Sequence, residues 1–426
     1  MLADDKYFLS SQNPIATTDQ CEAEELALRL IGRPEVQKAV NLVTYLWRDG
    51  MLIRGAEEEE RFENLLKEYA FHHALKAATR DPESPRIVRF MAPKHHWFGR
   101  EIPGSRWGGD SPDFIYRIIS LGHGARYEIH GRKTCAVAPT VNYALMSDSY
   151  AAPVIINLLD SLDMAFEPDG SFLITVDETP AAGRKNHLQT FPGAAQIWIR
   201  DAIGDWDAQT ANALRVKRLT PTTRDPLSED ECAELAARYV QDGNYYYYYL
   251  TQRGHLVSRP NELYPPRSSG TLGGMATQLT AGGHIELAPD EALIVTSSAA
   301  RAQFRNVVLH DQYMVTVNYW DHVSSLNSSQ MAADESGLFT FVVSAEDPGI
   351  HNWLDTNGKR YSMFVHRWQA FERGVPREKP ILKARKIKFA DLGRELPDGV
   401  RRIDAAARQQ QIAKRLRGFS GRFLDR

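Results

Sequence analysis

Cysteine is scarce in this chain, with three in 426 residues, at positions 21, 135 and 232. Thiols so few and so far apart cannot make a disulfide framework, which predicts a reducing, cytoplasmic setting. Cys135, in TCAVAPTV, reads as a small buried hydrophobe on a strand. No block of like charge is long enough for a nucleic-acid arm, and the net charge is only −3. No stretch approaches the roughly 20 apolar residues that span a bilayer. The opening MLADDKYFLSSQNP meets acids at once, which predicts no signal peptide. Also missing are GxGxxG after a strand, a Walker loop, HExxH, GxSxG and paired CxxC. Their absence disfavours dinucleotide-dependent hydride transfer and serine-hydrolase chemistry, and predicts no bound cofactor. His95-His96, His310-Asp311 and Asp321-His322 are neighbours without the usual metal-ligand spacing, so no metal site is predicted.

What is present is an ordinary globular balance, 43% hydrophobic and 25% charged, over a length that suits two or three domains or one composite. Residues 1–80 read as helical. Thr18 or Asp19 is the expected N-cap of the first helix, and Phe62, Leu65, Leu66, Tyr69 and Leu75 form an apolar face on the third. From Asp81 the period becomes two, and RIVRFMAP, FIYRIISL, ARYEIHG, TCAVAPTVNYALM, FLITV, AQIWIR and LRVKRL read as short strands over 81–225. Residues 226–266 read as a helical connector opened by a Ser228–Glu231 capping box. Its tyrosines 245–249 are read as helix packing, or else as the lining of an aromatic pocket. Arg267–Glu286 is glycine-rich and reads as a mobile loop. The remainder of 267–390 is a second β region ending in a basic edge strand, and 391–426 is a helical tail. The fold class is therefore α+β, mainly antiparallel β-sandwich or jelly-roll layers with a helical N-terminal region and a C-terminal helix.

The most distinctive stretch runs from Ser324 to Trp368. LFTFVVS is a buried strand, Asp347-Pro348-Gly349 breaks it, NWLDTNG turns, and YSMFVHRW returns. The order SLN-x-x-Q, strand, DPG-x-x-NWLDT-x-G, strand ending in RW resembles the bacterial family called domain of unknown function twelve-fourteen. SPDFIYR, YEIHGRK, EPDGSFLITV, FPGAAQIWIRDAIGDWD and LAPDEALIVT resemble its other elements, so the likeness runs from about Asp81 to Phe371 and is weakest between Pro226 and Pro266. The resemblance implies a sandwich for the β part and names no activity.

The candidate site residues are polar positions inside these motifs. Asp113 and Tyr116 sit where a loop enters a strand; turn capping and core packing are the alternatives. Arg200 ends a strand facing inward, either pairing with Asp205 or presenting a fixed charge to a phenolate or carboxylate. His187 stands where relatives carry an aromatic, which puts a titratable group there. Asn327 and Gln330, three apart, share a face on a helical turn, and Trp353 and Asp355 point together on an extended segment. Arg367 reads as a structural ion pair with Asp347 or Asp355.

With 17 Tyr, 17 Phe and 8 Trp, an aromatic-walled pocket is expected. The expected function is a cofactor-independent enzyme, a lyase using general acid–base catalysis on a hydrophobic hydroxylated aromatic compound, for example releasing formaldehyde from a lignin-derived dimer. Tyr116, His187 and Arg200 are its expected catalytic groups, with Asp113, Asn327, Gln330, Trp353 and Asp355 binding substrate. The alternatives are a non-catalytic carrier of aromatic or steroid ligands, and a metal-dependent hydrolase that brings His95, His310 and His322 together. The expected partner is the small molecule alone, without nucleic acid or membrane, in a homo-oligomer.

Overall fold

In a computed structural model, residues 6–50, 55–106, 108–147, 153–257, 259–268, 275, 277–371, 374–376 and 378–423 are described, the side chains of 49, 50, 246 and 249–257 excepted. Helices α1 (Thr18–Leu30), α2 (Pro34–Gly50) and α3 (Ala56–Ala78) come first. The N-cap of α1 is Thr17, whose hydroxyl accepts from the Gln20 amide. Thr18 already lies inside the helix, and the Asp19 carboxylate instead accepts from the Ile87 amide and the Tyr7 hydroxyl.

The first β region contains β1 (Val88–Phe90), β2 (His95–Trp97), β3 (Arg100–Ile102), β4 (Phe114–Ser120), β5 (Tyr127–Arg132), β6 (Thr140–Ser147), β7 (Ile155–Asp160), β8 (Ser171–Asp177), β9 (His187–Gln189), β10 (Ala194–Ala202) and β11 (Ala213–Arg218). Helix α4 (Glu229–Val257) follows. The second region contains β12 (Tyr264–Ser268), β13 (Leu279–Glu286), β14 (Glu291–Ser298), β15 (Phe304–His310), β16 (Ser325–Asn327), β17 (Leu338–Ser344), β18 (Trp353–Asp355), β19 (Tyr361–Gln369) and β20 (Leu382–Lys388). The short α5 (Leu392–Glu395) and α6 (Ala405–Ser420) close the described chain.

The result is a mixed α+β fold built on two sandwiches. One stacks sheet β1-β4-β10-β6-β7 on sheet β11-β5-β8-β9, the other sheet β12-β13-β19-β15-β16 on sheet β18-β17-β14-β20. Pairing is antiparallel except for β8–β9 and β17–β18. Alternation puts Ile119, Ile197 and Ile199 against Ile129 and Ile174 inside the first sandwich, and Val307, Leu309 and Phe364 against Val295 and Phe341 inside the second. The opposite face of β4, with Phe114, Tyr116 and Ile118, joins the core of the helices. The expected connector helix α4 packs along α2 and α3 and so completes that helical layer. The capping box forms, with Ser228 and Glu231 bonded to each other's amides. Tyr247 is fully buried and stacked on Trp47, so that tyrosine packs the helix while Tyr245 is exposed.

Two expectations change. The glycine-rich stretch is only partly loop, since residues 279–286 form β13, inside its sheet. A Cβ on Gly282 would stand 2.2 Å from the Phe364 carbonyl oxygen, so glycine here permits close backbone approach. Residues 269–274 and 276 lie outside the described residues. Cys135 lies in a bend, half-buried, and not on a strand, because Pro139 delays the start of β6 to Thr140.

Helix α6 is fastened by arginines seven residues apart. Arg408 binds the Asp347 carboxylate, and Arg415 donates to the Tyr319 and Ser325 carbonyls at 2.9 and 2.8 Å. Just past the helix, Arg422 donates to the Pro112 carbonyl. Gly418 lets the helix lie directly on Trp206, where a Cβ would meet the Trp206 Cβ at 2.6 Å. Gly418→Ala is therefore expected to destabilise by about 1–3 kcal/mol, despite alanine's better helix propensity. A thermal melt checks this, and a raised Tm would mean a looser seat than the contacts imply.

Candidate functional site

The register across the outer face of the first sandwich sets Phe90 beside Tyr116, Tyr116 beside Arg200, Arg200 beside Asn142, and Asn142 beside Asp160. Strand alternation sends this row toward the helices and the second sandwich. There β19 delivers Arg367, paired across strands with Asn306 and Thr280.

Tyr116 and the two arginines form the candidate cluster. Burial pushes the Tyr116 phenol up to about 12, even though Arg367 and Arg200 both pull it down. Arg367 is only 8% exposed. Its Nη2 donates to the Gly109 carbonyl at 2.8 Å, and among the described residues its Nη1 finds no hydrogen-bond partner. A buried guanidinium with an open donor, facing a neutral phenol, suits an anionic oxygen brought by a ligand. Arg200 also lies over the Trp198 ring, 5.6 Å from its centroid.

Two carboxylates border the cluster. Burial raises Asp110 to about 6 despite Arg106, while its oxygens accept from the Thr316 amide and hydroxyl at 3.0 and 2.6 Å. His310 Nε2 lies 2.7 Å from the Asp110 carbonyl, and burial, helped by Arg367, holds this histidine neutral at about 3. Asp113 is fully buried and accepts from Trp206 Nε1 at 2.9 Å, Asn327 Nδ2 at 2.7 Å and Asn306 Nδ2 at 2.8 Å. It ties the first sandwich to the second.

Of the residues expected from sequence, Tyr116 and Arg200 are thus brought together, and Asp113 and Asn327 are bonded to each other beside them. That bond joins the two sandwiches. His187 is elsewhere. It sits on edge strand β9 of the other layer, with Nδ1 2.8 Å from the Thr175 hydroxyl and Nε2 2.8 Å from the Thr179 carbonyl. Gln330 accepts from the Asn327 amide and Arg415, and lines a cavity of about 630 Å³ under α6. Trp353 and Asp355 do share edge strand β18. Trp353 Nε1 donates to Ser344, while Asp355 binds His322 at 2.7 Å and the Asn357 amide at 2.6 Å, as a turn-former does. Arg200 does not pair with Asp205, which accepts from the amides of Asp207 and Ala208. Arg367 pairs with neither expected acid, since Asp347 is taken by Arg408 and Asp355 by His322.

Sequence reasoning passed over Asp110 and Lys76. Lys76 follows Tyr69 by seven residues, on the apolar stripe of α3, and a lysine at that spacing is a visible signal. It is 4% exposed, and burial, with Arg80 adding to it, lowers its amine to about 7.

His95 lies against Phe423, His310 on Asp110 and His322 on Asp355. Among the described residues no group of three or more His, Cys, Asp or Glu is placed to hold a metal ion. Among them, too, no helix is long and apolar enough to cross a membrane.

No family model matches the chain, and no curated protein matches it. It is similar to an uncharacterized protein from Burkholderia cenocepacia whose crystal structure is known. The identity is 22% and the TM-score 0.71, over 86% of this chain and 100% of that one, so the two share a fold. A protein from Vibrio parahaemolyticus overlaps 66% of this chain and 90% of its own, at 12% identity and a TM-score of 0.41, too slight a likeness to carry more.

Proposed function

We propose that this protein is a cofactor-independent lyase acting by general acid–base catalysis on an aromatic compound that carries a hydroxyl and an anionic or phenolic oxygen. Its motifs further suggest a divergent member of the family called domain of unknown function twelve-fourteen. One observation carries the catalytic reading: two buried guanidinium groups, one from each sandwich, act electrostatically on the Tyr116 phenol, Arg200 as its cross-strand neighbour. Two fixed cations around a proton donor suit a reaction in which negative charge gathers on a leaving oxygen.

A formaldehyde-releasing cleavage of a lignin-type dimer fits these groups. The base removes the proton of a terminal hydroxyl, the adjacent carbon–carbon bond breaks, and formaldehyde departs. The electron pair forms a carbon–carbon double bond and expels an aryloxide, which Tyr116 protonates while Arg200 and Arg367 hold its charge. His187 is too far removed to be the base. Asp113 is occupied by three donors, which leaves Asp110, raised toward neutrality, for that role.

Mass spectrometry of products from lignin-type dimers and phenolic alcohols tests this. Tyr116→Phe is expected to lower turnover about 10²–10⁴-fold with the fold intact by circular dichroism. Arg367→Gln is expected to raise KM as well. Compounds that raise Tm but emerge unchanged would overturn the enzyme reading and leave a carrier.

A further inference from the structure

A second cavity opens on the same sheet face, beyond Trp198. Gln196, Trp198 and Arg200 alternate along β10, so Trp198 separates this cavity from the Tyr116 cluster. It measures about 580 Å³ and lies between the sheet and helices α3 and α4. Lys76 projects from α3 with its ammonium nitrogen 5.1 Å from the centre of the Trp198 ring. Around it stand Arg80, Arg224 and Arg238, and among the described lining residues the one acid is Asp242. Arg80 is held in place by the Tyr239 hydroxyl at 3.1 Å and the Ala195 carbonyl at 3.4 Å. Arg224 is shared with Asp81.

We propose that this cavity is a separate covalent site, in which the Lys76 amine condenses reversibly with the carbonyl of an anionic aromatic aldehyde or keto acid. The nitrogen lone pair attacks the carbonyl carbon to give a carbinolamine. The carbonyl oxygen then leaves as water, taking both nitrogen protons overall, and a carbon–nitrogen double bond remains. No oxidant or reductant is needed. The geometry supplies each requirement. A buried amine lines a cavity large enough for a substituted ring, an indole wall offers a stacking face, and the Arg238 guanidinium, with Arg80 and Arg224 beside it, offers a carboxylate a cationic partner. Burial and the neighbouring Arg80 also keep a large fraction of the amine unprotonated near neutral pH, as imine-forming lysines require. His72 and His73 on α3, both lowered far below their ordinary value by burial, add no charge against it.

The test uses the full chain, 4-carboxybenzaldehyde as probe and cyanoborohydride to trap the imine, followed by intact-mass measurement and peptide mapping. One adduct per chain is expected, on Lys76, absent from Lys76→Arg. Arg238→Ala is expected to raise the half-saturating probe concentration about 10-fold, and uncharged benzaldehyde should label more weakly than the carboxylated probe. Labelling spread evenly over exposed lysines, or an unlabelled Lys76 in the folded wild-type chain, would overturn the proposal. The wild-type map alone decides, so a poorly folding variant does not blunt the test. Because the probe reports a covalent bond at Lys76, its outcome is independent of turnover at Tyr116.

Discussion

Asp113→Ala is expected to remove most of the stability of this protein. Three side-chain donors, Trp206 Nε1, Asn327 Nδ2 and Asn306 Nδ2, converge on the two carboxylate oxygens within 2.9 Å. The joint is shut off from bulk solvent, since Asp113, Asn306 and Asn327 are all fully buried. Alanine would strand the donors at roughly 1–3 kcal/mol each, or about 3–9 kcal/mol if they add. That rivals the roughly 5–15 kcal/mol by which whole domains are stable. Asn306→Ala removes a single donor, leaves the carboxylate two partners, and should cost less. Asp113→Asn keeps the shape but sets an amide donor against donors, and should fall between them. Urea unfolding of the three variants gives the ranking. A loss below about 1 kcal/mol for Asp113→Ala would mean that the joint relaxes and the hub is dispensable.

Lys76→Met is expected to stabilise the protein at neutral pH and below, with an advantage that fades as pH rises. Burial holds the folded-state amine near 7, against an ordinary value of 10.5. Between those values the unfolded chain carries a proton that the folded protein lacks, so the stability of the parent climbs with pH across that window. The slope is at most about 1.4 kcal/mol per pH unit. Below the window both states are protonated and the full cost of a buried ammonium is felt. Above it the cost is gone. Methionine has no such dependence and fills a similar volume. Unfolding free energies of both proteins at about pH 6 and about pH 9 test the sign. Parallel changes in the two would show that Lys76 is not the responsible group.

The alternation of FIYRIIS and AQIWIR marked both as strands, because a two-residue period is local information, but that Tyr116 and Arg200 are neighbours follows only from the β4–β10 register. The sandwich layers were legible for the same reason. Partners across the fold were not. Asp113 reads as a turn former because its turn is local, whereas its donors are 93, 193 and 214 residues away. His187 looked functional as a titratable group in a family motif, yet the layer it belongs to depends on how β8 and β9 pair. Arg367 was matched to two acids of its own motif, and both are claimed by groups from other elements. The Ala-Gly-Gly of β13 misled because glycine signals loops and also signals backbones that must touch.

Helix α6 follows both sandwiches in the chain, yet Arg415 grips carbonyls of the second and Arg422 reaches back to Pro112 in the first. During synthesis the two halves therefore emerge before the clasp that spans them. Until it arrives, the Pro112, Tyr319 and Ser325 carbonyls lack their arginine partners. The site between Tyr116 and Arg367 spans the same seam, so the protein completes its clasp only after the rest of that site has already been made.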